Sequence, residues 1–258
     1  MDGTLLNSKD KISKKTSDTI NHIKQKGIYF TIATGRSLFG IKNACDANIL
    51  WPNVPVVSFN GGRIIDQTDE TVLFERFLEK QTAAEVLAFC KKLGATVVLW
   101  SEEKLYASAK NERTMYYSDK IGYEAVLMHD ENELLSRNIS KIICQDEPEK
   151  IEHYIKQLQG VLKGNVTFST SSPAYLEFYH SDVSKGNAVK FISERLGILP
   201  SEIITIGDQR NDIPMLKFAG LGVAMGNAID EVKAAADYIT LSNDEDGVVD
   251  VVEKFILQ

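Results

Sequence analysis

The sequence predicts an α/β protein, a doubly wound, Rossmann-like parallel sheet interrupted by an inserted α+β module. Three observations carry this. Apolar, β-branched runs end in polar, glycine-bearing loops at Thr34-Gly35-Arg36, Asn60-Gly61-Gly62 and Gly207-Asp208. Strand-like and helix-like segments alternate in the first and last parts of the chain. Between them the rhythm changes to short strands, as expected of a separate architecture.

Taken in order, 13–26 places Ile20 and Ile23 on one helical face and stops at Gly27, a residue suited to a helix C-terminus. Ile28–Ala33 follows as a buried strand, and 37–47 as a helix. Val54–Phe59 repeats the strand pattern. In the last third, helices are expected over Asn187–Leu196, Ile213–Ala219, Ala228–Ala236 and Val248–Ile256. Strands are expected at Ile203–Ile206, Leu221–Met225 and Tyr238–Thr240. Ligands of such a sheet sit beyond the carboxyl ends of its strands.

The middle segment opens with a helix over Thr82–Leu93, with Thr82 and Glu85 spaced as a capping box. Strand-like runs follow at Ala95–Trp100, Ala125–Met128, Ser140–Gln145, Val166–Ser169 and Tyr175–Tyr179, with a helix over 148–159. The expected division is therefore a discontinuous core, 1–80 and 182–258, around an inserted domain, 81–181.

With 258 residues, 43% of them hydrophobic and 25% charged, the chain has the makings of an ordinary globular protein. A net charge of −7 argues against general nucleic-acid or membrane-surface binding, which needs a positive field. Cys45, Cys90 and Cys144 form no CxxC and suggest neither a disulfide framework nor a thiolate zinc site. There is no apolar run of about 18 residues and no signal-like segment, so a soluble, cytoplasmic protein is expected.

The polar residues at the strand ends suggest a chemistry. Asp2, Asp208 and Asp212 are hard oxygen ligands of the kind Mg2+ takes, and a divalent ion would offset their mutual repulsion. The Thr34 hydroxyl, the Gly35 amide and the Lys185 ammonium are suited to holding phosphate oxygens. Phosphate monoester hydrolysis, which enzymes accelerate by up to about 10²¹-fold, demands such a combination of metal, cation and aligned acid. Each feature alone has a plainer reading: a lone Asp-Gly is a turn, and a lone lysine is a solvated surface residue. His22, His129, His153 and His180 lack metal-ligand spacing, and Trp51 and Trp100 read as packing residues. Arg113, Tyr116, Tyr117 and Tyr175 have the chemistry to read a sugar or a ring, but amphipathic aromatics more often pack.

In order, DGTLL, ATGRS, FNGG, SKGNA, IGDQRNDIPML, GVAMGNAIDEVKAAADYIT and NDEDGV resemble the Cof-type, subfamily IIB branch of the haloacid dehalogenase-like (HAD) superfamily. The resemblance spans Asp2 to Val248 and implies an Mg2+-dependent phosphatase acting on small phosphorylated metabolites, with the inserted module as its α/β cap. It implies that Asp2 is the general acid and base and gives a backbone carbonyl to the metal. Thr34 and Gly35 would bind the phosphoryl oxygens, Lys185 would neutralise them, and Asn211 would contact phosphate or substrate. Asp208 would ligate Mg2+, with Asp212 in its second shell or holding the lysine. Arg36, Asn60 and Gly61 would line the cleft. Met1 falls at the middle of the family's Asp-x-Asp, also on the substrate side, so the nucleophilic aspartate and the strand carrying it are expected just upstream of Met1. Without that strand, Ile28–Ala33 and Ile203–Ile206 would lose a neighbour. A hexose-phosphate mutase and a phosphate-binding protein without turnover are the alternatives. A receiver-type phosphoacceptor, the remaining one, needs only about half this length.

Overall fold

The protein is described here by a computed structural model that covers residues 1–45, 49–50, 54–158 and 162–257. The chain divides into two units, Met1–Phe74 with Ser184–Gln258, and Glu75–Val183.

In the first unit a turn after Met1 leads to α1 (Lys14–Gln25), whose first orphan amides are capped by the Ser13 hydroxyl. Ser37 likewise caps α2 (Leu38–Ala44), which is shorter than expected; Ala47 lies outside the described residues. Strand β1 (Val56–Ser58) pairs antiparallel with β2 (Arg63–Ile65), and β3 (Val72–Glu75) completes that sheet.

The inserted unit runs α3 (Lys80–Lys92), β4 (Thr96–Ser101), β5 (Lys104–Ala107), α4 (Glu112–Ile121), β6 (Val126–Leu127), α5 (Glu131–Ser136), β7 (Ile139–Gln145), α6 (Pro148–Leu158), β8 (Val166–Ser172) and β9 (Tyr175–His180). Its sheet has six strands in the order β6-β5-β4-β7-β9-β8. Central β7 is buried along its whole length. Val97, Leu99, Ile142, Cys144, Leu176 and Phe178 pack with α3 and α6 in one core. The alternate positions on β7 and β9 include Lys141 and Glu177, which pair at 3.1 Å. Trp100 is buried, as its packing role requires, whereas Trp51 lies outside the described residues.

The chain then returns to the first unit through α7 (Lys185–Leu196), β10 (Ile204–Gly207), α8 (Ile213–Phe218), β11 (Leu221–Ala224), α9 (Asp230–Ala235), β12 (Tyr238–Ile239) and α10 (Gly247–Phe255). Strands β10, β11 and β12 are parallel neighbours. This is the α/β architecture expected from the strand-to-loop junctions.

Two local expectations are corrected. Ile28–Ala33 forms no regular strand. It touches β1 through a single parallel bridge at Ala33–Val57, and Tyr29 is 51% exposed. Ile28, Phe30 and Ile32, together with Ile204, Ile206 and Val251, line an apolar cavity of about 770 Å³, and among the described residues the run has no second strand bridged to it that would hold it as a strand. The capping box at Thr82 is also absent, because α3 begins at Lys80 and Thr82 is buried within it. Elements β2, β3, β5, α4 and α5 were not anticipated.

Candidate active site

The first unit brings together the carboxyl end of β10, the start of α7 and the turn after Met1. Thr4 Oγ1 donates to Asp208 Oδ1 at 2.6 Å. The Asp208 and Gln209 amides donate to Asp212 Oδ2 at 2.9 and 3.0 Å, and Lys185 Nζ donates to Asp212 Oδ1 at 2.5 Å. Lys185, Asp208 and Asp212 are all buried. Charges this far from water persist only when paired and hydrogen-bonded.

Backbone geometry makes this convergence possible. Gly3 adopts a left-handed φ of +67°, and a Cβ there would stand 2.3 Å from Asp208 Oδ2. The Ser184 hydroxyl caps α7, placing Lys185 in its first turn. Gly61, at φ +103°, lets the loop after β1 approach the Ser184 carbonyl, which a Cβ would meet at 2.4 Å.

The two carboxylates differ electrostatically. Burial pushes the Asp208 carboxyl above its ordinary range, and the neighbouring Asp212 charge adds to that. Burial would push Asp212 the same way, but the Lys185 ammonium and the hydrogen bonds it receives outweigh it and hold Asp212 below the ordinary value.

A second cluster adjoins the loop 34–36. The Thr34 amide donates to Val57 O at 3.0 Å, the Asn60 amide to Thr34 O at 2.8 Å and the Phe59 amide to Arg36 O at 3.1 Å, lacing this loop to the one after β1. Phe59 and Asn60 both hold positive φ, 50° and 60°. For non-glycine residues this is an uncommon conformation, one that persists only where the surroundings enforce it. Asn60 Oδ1 accepts from Asn211 Nδ2 at 2.9 Å, while Asn211 Oδ1 is a buried acceptor with no donor among the described residues.

Arg36 sits beside this loop with a side chain 8% exposed. Its Nε donates to Asp2 Oδ2 at 2.9 Å and its Nη2 to Asp2 Oδ1 at 2.5 Å, a two-pronged ion pair, and Nη1 reaches Gly40 O at 3.3 Å. The Met1 side chain packs in the core with Leu5, Leu6, Ile20 and Ile32, and its carbonyl accepts from the Leu5 and Leu6 amides.

Three features escaped the sequence reading: the Thr4 bond to Asp208, the Asp2–Arg36 pair, and Asn227, whose Nδ2 donates to Gly3 O at 2.8 Å. Thr4 and Asn227 lie inside motifs already singled out, DGTLL and GVAMGNA, but a motif gives no orientation. In the inserted unit Arg113 forms ion pairs with Asp146 and Glu147, and Tyr117 meets Tyr175 edge-on at 5.6 Å between centroids. Tyr116 is 64% exposed.

For a divalent ion, the Asp208 and Asp212 carboxylates are hard oxygens suited to Mg2+. Among the described residues no group of three His, Cys, Asp or Glu side chains is arranged to hold a metal, consistent with Asp2 being turned to Arg36.

The haloacid dehalogenase-like hydrolase family matches residues 1–252. The chain belongs to this family. Among relatives, the putative phosphatase YxeH of Bacillus subtilis is 30% identical over 260 residues, covering 100% of this chain and 96% of its own. The 5-amino-6-(5-phospho-D-ribitylamino)uracil phosphatase YcsE of the same organism is 31% identical over 260 residues, covering 100% of this chain and 94% of its own. The solved structure of the HAD subclass IIB sugar phosphatase BT4131 superposes with a TM-score of 0.88 at 26% identity, covering 99% of this chain and 96% of that one. The chain is thus a HAD-like hydrolase of the Cof-type, IIB kind. No helix among the described residues is long and apolar enough to cross a membrane.

Proposed function

We propose that this HAD-like hydrolase is an Mg2+-dependent phosphatase of small phosphorylated metabolites, sugar phosphates or related esters, working through an aspartyl-phosphate. The observation that carries the reading is the buried chain Thr4–Asp208–Asp212–Lys185, which joins three distant segments through charge-assisted hydrogen bonds. Relatives that are phosphatases, one of a phosphoribityl compound and one of sugar phosphates, support the substrate class.

In this reading Mg2+, when bound, supplies positive charge against the transferring phosphoryl group. Asp208, Asp212 and the Asp2 carbonyl would hold it, with Asn211 on the phosphate or the substrate. Thr34 and the Gly35 amide receive phosphoryl oxygens, and Lys185 offsets their charge from its fixed place on Asp212. The aspartate that the family pattern puts immediately before Met1 attacks phosphorus. Asp2 gives a proton to the departing alkoxide and then takes one from the water that opens the acyl phosphate.

The test is phosphate release from a panel of phosphorylated metabolites with and without Mg2+, on the 258-residue chain and on one extended upstream in its native reading frame. Mg2+-dependent release by the extended chain is the expected result. Transfer of the phosphate back to sugar would identify a mutase instead. Binding without turnover in both forms would identify a phosphate-binding protein.

A further inference from the structure

Arg36 and Asp2 are unequally placed. The guanidinium side chain is 8% exposed, the carboxylate side chain 38%. Both carboxylate oxygens are taken by Arg36, through Nε at 2.9 Å and Nη2 at 2.5 Å. A buried guanidinium left without an anion is strongly destabilising, so this one needs a partner in every state of the site. Its fork fits two oxygens of a phosphate as well as two of a carboxylate. Its own amide donates to Thr34 Oγ1 at 3.2 Å, so it is tied to the loop assigned above to the phosphoryl group.

We propose that Arg36 is a hand-over residue: an incoming phosphate takes the guanidinium fork from Asp2 and thereby frees the Asp2 carboxylate to turn toward the reacting atoms. The more exposed partner leaves and the buried one stays. Arg36 thus couples occupancy of the anion site to the position of Asp2, so that Asp2 is held aside while the site is empty. This deepens the phosphatase reading and rests on it for the place of the phosphate.

The test uses the chain extended upstream in its native reading frame, with inorganic phosphate in Mg2+-containing buffer and binding followed by calorimetry. Asp2→Asn, which loosens the grip on Arg36, is expected to tighten phosphate binding about tenfold, and Arg36→Met to weaken it about tenfold, each the scale of a charge-assisted contact. In an Arg36→Met background the Asp2→Asn gain should vanish, since the coupling runs through the guanidinium. An equal gain in both backgrounds would mean that Asp2 acts only as a nearby negative charge, and the hand-over would be wrong. A second readout needs no variant: in arginine-labelled protein the Arg36 Nε–H resonance should move on saturation with phosphate, relative to Mg2+ alone. Phosphate binding with that resonance unmoved overturns the hand-over alone. Absence of any phosphate binding overturns the phosphatase reading and the hand-over together.

Discussion

The Lys185 ammonium and the Asp212 carboxylate meet at 2.5 Å with side chains 5% and 4% exposed, and Asp212 simultaneously accepts the amides of Asp208 and Gln209. One ion pair thus ties the first turn of α7 to the loop after β10. Lys185→Met would leave the carboxylate buried without its cation, a loss on the order of 3–5 kcal/mol. Adding Asp212→Asn should restore part of that stability, because the unpaired charge is gone. Urea denaturation of the two single variants and the double variant checks the coupling.

Acidification should act on the two carboxylates of the site, Asp212 and Asp208, with opposite signs. Asp212 is held below its ordinary value of 3.8, so its stabilising contribution is complete above 3.8 and is lost as pH falls through the depressed native value. Asp208 is raised above 3.8, so its contribution is present below 3.8 and lost as pH rises through the native value. In Mg2+-free protein at neutral pH, Asp208→Asn should therefore melt higher than the unaltered chain and Asp212→Asn lower. Both differences should shrink in acid. Thermal melts across the pH range provide the measurement.

Gly3 is a third point of leverage. An alanine there would have to hold a left-handed backbone, at about 1–2 kcal/mol, and its Cβ would press on the Asp208 carboxylate at 2.3 Å. Gly3→Ala is expected to lower stability by at least that amount and to reduce turnover by displacing Asp208. Gly27→Ala is the matched control, since Gly27 also has positive φ but nothing within 4 Å of its Cβ position. It should lose stability and keep activity.

Much of this site was legible in the sequence because its residues stand in short motifs after apolar runs. Lys185, Asp208 and Asp212 are joined by hydrogen bonds, and so are Asn60 and Asn211, while backbone bonds lace Thr34 to Asn60. What pattern could not give was direction. The pairing of Asp2 with Arg36 depends on a rotamer and on burial, neither of which leaves a trace in residue spacing. Periodicity also overreached at Ile28–Ala33, where β-branched composition favours a strand but the run's β pairing among the described residues is the single Ala33–Val57 bridge. The short strands β2, β3 and β5 were missed because three- or four-residue elements carry too few positions for an alternation to register.

In the proposed phosphatase, the Asp208 carboxylate at the end of β10 supports Mg2+-dependent phosphoryl transfer. The most direct measurement is an Mg2+ titration of phosphate release by the upstream-extended chain and by its Asp208→Asn variant, using the best substrate from the panel. The extended chain should show saturable Mg2+ activation, and the variant should lose at least about a hundredfold in turnover while remaining folded, the scale of removing a group that stabilises the transferring charge. Undiminished Mg2+-activated turnover in Asp208→Asn would contradict the assignment of this site.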